Sequence, residues 1–165
     1  MIRSEVFAEL GGFDEDFFMV YEDVDLSYRA RLLGYRCWYV ADALVRHVGS
    51  GSLGRVSAGA VFLGQRNLEW TYIKNTPWPL LLRSLPNHLL YDAAAGIRYA
   101  VAGKLPSYWR GKCAALIGLP AILRKRGLVQ RTRRAKSRAI WRTMEGGWIR
   151  RKHREKRFAL AVRDR

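Results

Sequence analysis

Between residues 11 and 52 of this chain, two polar clusters each follow an apolar run. The first cluster is acidic and spans residues 22–25, and the second spans residues 47–52. If the apolar runs are buried in a core, both polar clusters must lie at the surface of that core. This requirement restricts the folds that this part of the chain can adopt. Polar groups at the ends of buried elements are also where folded proteins commonly carry a binding or catalytic site.

Three short apolar stretches in this region predict β-strands. Residues 17–21 are too few for a helix of ordinary length and are rich in aromatic side chains, so they indicate a short buried strand. Residues 35–40 and 44–48 contain the aromatic and β-branched side chains that are typical of strands.

Two longer stretches predict α-helices. Apolar side chains recur at four-residue spacing between residues 24 and 33, which indicates an amphipathic helix that ends at Gly34. Residues 56–74 predict a second helix, stopped before Pro77.

The acidic cluster consists of Glu22, Asp23 and Asp25, and two interpretations of it are open. Both aspartates fall in the first turn of a predicted helix, where unpaired N–H groups and the helix dipole stabilise negative charge. One of them is therefore either an ordinary N-cap with Glu22 solvated, or a general base for a substrate hydroxyl at the mouth of a cleft.

The order of motifs resembles a known enzyme family. Gly-Gly-Phe-Asp-Glu at residues 11–15 is followed by the acidic pair Glu22 and Asp23, a helix ending in Gly34, a strand and a His-Gly-Ser turn at residues 47–52. In this order the motifs resemble the C-terminal part of the catalytic domain of family 2 glycosyltransferases, in particular the rhamnosyltransferase-like branch. The resemblance covers roughly residues 2–76.

The resemblance implies a fold and an activity. Such enzymes have the GT-A fold, a Rossmann-like α/β domain, and transfer a sugar from a nucleotide-sugar donor to a glycan or lipid-linked acceptor with inversion. It makes Asp23 the catalytic base and Glu22 its partner. It places Asp14, Glu15 and Asp25 on the acceptor side, although Asp14 and Glu15 also fit an ordinary polar turn.

The resemblance also implies a donor side with a divalent cation, Mg or Mn. His47 is the candidate metal ligand, with a hydrogen-bonded structural histidine as the alternative. Gly49, Ser50 and Ser52 would form a turn over the donor diphosphate, and an ordinary Gly/Ser loop is the alternative. Arg66 would contact a donor phosphate, and the alternative is a surface arginine without that role.

Two parts of the family pattern are missing from the sequence. No nucleotide-binding half precedes Gly11, and the one Asp-x-Asp string, at residues 23–25, occupies the acceptor-side position instead of the metal position. We therefore expect these 165 residues to correspond to the C-terminal half of a longer enzyme. The isolated chain is expected not to turn over a nucleotide-sugar.

The sequence divides into three regions: the catalytic portion at residues 1–76, amphipathic helices at residues 77–130 and a basic tail at residues 131–165. In the middle region, aromatic residues, apolar faces and cations are typical of helices in a membrane interface, and a helical appendage packed on the catalytic domain is the alternative. The two cysteines, Cys37 and Cys113, are expected to be buried and reduced.

The net charge of +16 is concentrated in the tail. Cations with interleaved tryptophans indicate an anionic membrane surface as a partner, and a peripheral position on the cytoplasmic face of the cell membrane. The alternative function is a basic nucleic-acid- or anionic-lipid-binding module without catalysis, and a solvated tail fits the same composition. No zinc-knuckle, helix-turn-helix or RNP-like string favours nucleic acid as the partner.

Overall fold

A computed structural model describes residues 2–38, 40 and 57–144 of the chain. These residues fold into seven α-helices and one 3₁₀ turn, Glu15–Phe17. The helices are α1 (Ser4–Glu9), α2 (Glu22–Leu32), α3 (Ala58–Asn75), α4 (Trp78–Val101), α5 (Leu105–Ile117), α6 (Leu119–Thr132) and α7 (Ser137–Trp141). They form two compact units, of which the first runs to Ala135 and the second begins at Lys136 and contains α7.

The described residues contain no β-strand, so the prediction of an α/β, Rossmann-like GT-A fold is wrong for this part of the chain. The predicted strand at residues 17–21 fails for a physical reason. Phe18, Val20 and Tyr21 all have positive φ angles, of 59°, 68° and 75°, which an extended strand does not allow. The segment is a tight loop that follows the 3₁₀ turn.

The other two predicted strands have different outcomes. Residues 35–38 and 40 are irregular, and their side chains are mostly exposed, so the prediction of a strand there is also wrong. The Tyr35 side chain is tied to helix α1, because its hydroxyl donates a hydrogen bond to Glu9. The predicted strand at residues 44–48 lies outside the described residues.

Helices α2 and α3 confirm the two helix predictions to within about two residues at each end. Ser57 caps α3, since its Oγ accepts the Ala60 N–H at 3.1 Å. Helix α3 ends at Asn75 because Pro77 follows, and Pro77 in turn leads into the first turn of α4.

Helix α3 lies at the centre of the first unit, where it contacts α2, α5 and α6. Phe17 and Trp70 meet edge to face at 6.0 Å, and both are buried with Ala115 and Ile122. The Trp70 Nε1–H donates to the carbonyl of Ala115 at 3.2 Å, which satisfies the indole inside the core.

Two glycines allow α5 and its C-terminal turn to approach α3 closely. A Cβ at Gly111 would lie 2.6 Å from the carbonyl oxygen of Phe62, and one at Gly118 would lie 2.5 Å from the indole of Trp70. Both distances are too short for a non-bonded contact of a Cβ atom, so larger residues at these positions would push the helices apart.

Helices α4, α5 and α6 occupy the region where the sequence predicted amphipathic helices. Among the residues that the structure describes, no helix combines the length and the apolar composition that crossing a membrane requires. Both cysteines are exposed free thiols, so the prediction that they are buried is wrong. Cys113 lies on the side of α5 that faces away from α3, which the apolar character of its sequence neighbours did not reveal.

Candidate functional site

The loop of residues 16–21 positions the acidic pair. Its three non-glycine residues with positive φ include Val20, a β-branched residue for which this conformation is strained. Phe17 anchors the loop in the core with no exposed surface, while Phe18 is 78% exposed. Local backbone strain of this kind persists only where the surrounding structure stabilises it, and here α3 stabilises the loop through its side chains.

Asn67 of α3 is the main contact of this loop. Its side-chain Nδ2 lies 2.9 Å from the carbonyl oxygens of Phe17 and Met19 and 2.6 Å from that of Val20. In a β-sheet such carbonyls accept hydrogen bonds from a neighbouring strand, whereas here the Asn67 amide is their donor. Asn67 has no exposed surface, so water does not compete for these bonds.

Arg66 supports the same loop from its exposed side. Its Nη2 donates to the carbonyls of Asp16 at 3.0 Å and Phe17 at 3.2 Å, and its Nε donates to Asn67 Oδ1 at 2.9 Å. The guanidinium also lies 4.2 Å from the ring centre of Trp70, and burial lowers its pKa. Arg66 is thus placed to hold the loop, and its contact with a donor phosphate stays a prediction.

Glu22 and Asp23 open helix α2 directly after this loop. Asp23 is exposed, and its Oδ1 accepts the N–H of Val24 at 2.7 Å. The N-cap is Tyr21 in the left-handed conformation, so neither Asp23 nor Asp25 caps the helix with its side chain. Burial raises the pKa of Tyr21 to about 12, which keeps the phenol neutral next to the acidic pair.

Glu22 has an unusual environment. Its Oε2 is buried and has no hydrogen-bond partner within the described residues. A buried carboxylate oxygen without a partner is costly, and such atoms in folded proteins call for an explanation. Here the oxygen belongs to the residue that the sequence paired with the candidate base.

Asp25 is fully buried and ties α2 to α3. Its Oδ1 lies 2.7 Å from Lys74 Nζ and 2.7 Å from Asn75 Nδ2, and its Oδ2 lies 2.8 Å from Arg29 Nε. Both carboxylate oxygens are therefore engaged inside the protein. The predicted contact of Asp25 with substrate stays a prediction, while the observed role is structural.

Asp14 and Glu15 border a cleft of about 480 Å³. The cleft is lined by Leu10, Gly11, Gly12, Phe13, Asp14, Glu15, Arg29, Lys74, Lys125, Leu128 and Val129. Glu15 is exposed, whereas Asp14 binds Lys74 at 2.7 Å and also binds Lys125. Burial alone would raise the pKa of Asp14, but hydrogen bonds from Lys125 and Lys74 outweigh it and hold the pKa below its ordinary value.

One ionic network connects the cleft to the first turn of α2. Lys74 bridges Asp14, at the cleft, and Asp25, in the first turn of α2. Arg29 of α2 donates to the carbonyls of Leu10 at 2.5 Å and Gly12 at 2.8 Å, which fixes the turn that lines the cleft. The predicted site residues His47, Gly49, Ser50 and Ser52 lie outside the described residues.

Asn67 and Lys74 also belong to the site, although the sequence had assigned a role to neither. Both are buried on the same face of α3 as Trp70, because Trp70 follows Asn67 by three residues and Lys74 follows Asn67 by seven. The sequence signal for these two residues was a polar and a charged side chain on a helix face that is otherwise apolar. Such groups are buried only when they have partners. Those partners are Asp14, Asp25 and the loop carbonyls, which no local pattern reveals.

One group of three potential metal ligands lies within the described residues, formed by Glu69, His88 and Asp92. The ammonium of Lys112 contacts both carboxylates, and lies 2.7 Å from Asp92 Oδ1. A cation already fills this position, so the cluster does not fit a divalent metal ion. The His88 ring also stacks on Tyr72 at 4.0 Å and binds Glu69 at 2.9 Å, which makes the cluster a polar link between α3, α4 and α5.

Comparison with known proteins gives one kind of match. No family model and no solved structure matches the chain. Two curated proteins named N-acetylglucosaminyl-diphospho-decaprenol L-rhamnosyltransferase, from the Mycobacterium tuberculosis strains CDC 1551 / Oshkosh and ATCC 25618 / H37Rv, are each 37% identical to it over 79 residues. This similarity supports a relationship to a glycosyltransferase. The match covers 42% of this chain and 26% of each relative, so the chain spans about a quarter of the length of the curated relatives it matches.

Proposed function

We propose that the natural protein is a glycosyltransferase that transfers a sugar from a nucleotide-sugar donor to a glycan or lipid-linked acceptor. The observation that carries the proposal is the 37% identity over 79 residues to two rhamnosyltransferases. The printed name of these relatives makes L-rhamnose the first sugar to test and a lipid-linked acceptor the first acceptor.

In this proposal Asp23 is the general base. Its carboxylate is exposed at the start of α2, and the Val24 N–H occupies only Oδ1, which leaves Oδ2 for the acceptor hydroxyl. The acceptor proton moves to Asp23 as the acceptor oxygen bonds to the anomeric carbon. The bond from that carbon to the diphosphate oxygen breaks, its electron pair leaves with the nucleoside diphosphate, and the configuration inverts.

The base lies at a helix N-terminus, where the helix dipole and unpaired N–H groups favour negative charge. Glu22, whose Oε2 has no hydrogen-bond partner in the described part of the chain, is the adjacent acid that would contact the acceptor or position Asp23. Asn67 and Arg66 keep both residues in place through the loop before them.

The divalent cation, Mg or Mn, with His47 as a ligand is part of the proposal, but the described residues form no site that fits it. The proton transfer to Asp23 and the bond changes at the anomeric carbon are therefore described without the cation. Chelation tests it separately: if the cation participates, EDTA abolishes transfer and added Mg²⁺ or Mn²⁺ restores it. Unchanged transfer in EDTA would remove both the cation and His47 as its ligand.

The proposed function is tested with the natural protein purified from its own cells. It is incubated with a panel of UDP- and dTDP-sugars and with polyprenyl-diphosphate-linked acceptors, and the release of nucleoside diphosphate and the glycosylated product are measured. We expect turnover with one donor and acceptor pair. If no pair is turned over and the protein binds nucleic acid preferentially at physiological salt, the non-catalytic binding module is the better account.

A further inference from the structure

Helix α4 presents an uncovered apolar face. Leu82, Leu89 and Ile97 are 63%, 57% and 68% exposed, and Leu90 and Val101 are also exposed. The face contains no charged side chain along the positions 82, 86, 89, 93, 97 and 100, which are Leu, Pro, Leu, Ala, Ile and Ala. Soluble proteins rarely leave such a contiguous stripe open, so the face is an interaction surface.

The opposite face of α4 is the one that packs on the protein. Ser84, His88 and Asp92 follow one another at four-residue spacing, and these side chains contact Tyr72, Glu69 and Lys112. The exposed apolar side chains are therefore not core residues that happen to lie near the surface. They line a second side of a helix that is 24 residues long.

Helix α5 adds to this apolar character. Trp109, Leu116 and Ile117 are 58%, 68% and 81% exposed, on the side of α5 away from the buried Gly111 and Ala115. Trp78, at the start of α4, is exposed as well. Exposed tryptophans beside aliphatic side chains are typical of surfaces that sit at the boundary between water and lipid headgroups.

The charge of the same helices indicates which partner the surface fits. Residues 78–132 contain nine Lys or Arg side chains and a single carboxylate, Asp92, which is neutralised by Lys112. Arg98, Arg110 and Arg124 are among the exposed cations. An anionic lipid surface complements this excess, since each nearby Lys or Arg contributes about 1 kcal/mol of attraction.

We infer that the exposed apolar face of α4 inserts into the headgroup region of an anionic lipid bilayer, with α4 lying in the plane of the membrane. No described helix has the length and composition to cross the bilayer, which agrees with insertion in the plane. The inserted face is defined by Leu82, Leu89, Leu90, Ile97 and Val101. The inference does not depend on the proposed transferase activity.

The test measures partitioning of the full 165-residue chain onto vesicles of phosphatidylcholine with phosphatidylglycerol by cosedimentation. The variant L89E/I97E places two carboxylates on the apolar face, and both positions are exposed, so the fold is retained. The matched control I2E/V40E makes the same change in charge at exposed aliphatic residues outside α4–α6. The neutral variant L82S/L90S repeats the test without adding charge.

The inference predicts that L89E/I97E and L82S/L90S lower the partition coefficient by at least about tenfold, because apolar insertion is lost. The control should stay within about twofold of wild type, the range of a screened charge effect alone. Equal losses in variant and control would show that charge alone holds the chain to lipid, and would overturn the inference. So would unchanged binding by both apolar-face variants, or a lipid-free dimer of the wild type that L89E/I97E dissociates.

Discussion

Asn67 shows how one buried side chain sets the geometry of the candidate site. Its amide contacts three backbone carbonyls of the 16–21 loop, where Phe18, Val20 and Tyr21 have positive φ. The carbonyl of Phe17 has further donors in Arg66 and the Met19 N–H, whereas Asn67 is the side chain that contacts the carbonyls of Met19 and Val20. The direction in which Glu22 and Asp23 leave the loop therefore depends on this residue.

Substitution of Asn67 by alanine tests this dependence. We expect N67A to lower the free energy of unfolding by about 2–4 kcal/mol, because buried carbonyls lose their donor. Urea denaturation followed by circular dichroism measures the change. N87A, at an exposed asparagine of α4, is the control and should cost less than about 0.5 kcal/mol. Equal effects of the two substitutions would show that the loop is held by other contacts.

Glu69 gives the structure a specific response to acid. Burial alone would raise its pKa, but hydrogen bonds from His88 and Lys112 lower the pKa from 4.5 to about 2. A carboxylate with a lowered pKa stabilises the fold fully above its unfolded pKa, and this contribution is lost as the pH falls from about 4.5 toward 2. The stability of wild type relative to E69Q should therefore shrink over this window. A difference that stays constant with pH in urea denaturation would contradict it.

The helices differ in how far their sequence determines them. The ends of α2 and α3 were predicted because the spacing of apolar residues, Gly34 and Pro77 act locally. Residues 17–21 have a strand-like composition, yet contacts of their carbonyls with Asn67 fix a loop. The same limit applies to the site: the acidic pair could be named from its motif, but its support by α3 comes from contacts distant in sequence.

The packing of α5 on α3 depends on Gly111. We expect G111A to lower the free energy of unfolding by about 1–3 kcal/mol, because the added Cβ meets the Phe62 carbonyl at 2.6 Å and Gln65 Cβ at 2.9 Å. G127A on α6 is the matched control, since a Cβ there meets nothing within 4 Å. That variant should be neutral or more stable by up to about 1 kcal/mol. A neutral G111A would show that the helices separate without cost.

In the first unit as a whole, segments far apart in sequence meet at α3. Lys125 of α6 binds Asp14 and Asp16, at 2.6 Å for the latter, while Arg126 donates to the carbonyls of Ile73 and Thr76. Helix α6 thus closes the region that holds both the cleft and the end of α3. This is why the helical appendage cannot be treated as independent of the predicted catalytic portion.

Shortening the chain tests this integration. A chain that ends at residue 118 lacks Lys125, Arg126 and the buried Ile122, so we expect it to lose cooperative thermal unfolding. A chain that ends at residue 135, where the first compact unit ends, should unfold cooperatively. Calorimetry distinguishes the two. A cooperative transition for the shorter chain would show that α6 is peripheral to the fold.

The proposed role of Asp23 as the base of a sugar transfer is tested by comparing the kcat of the natural protein with the kcat of its D23N and E5Q variants. Glu5 is an exposed carboxylate of α1 away from the acidic pair, so E5Q makes the same chemical change outside the site. We expect D23N to lower kcat by a factor of about 10²–10⁴, which is the usual contribution of a general base, and E5Q to leave kcat unchanged. Turnover of D23N near the wild-type rate would contradict the assignment of Asp23 as the base.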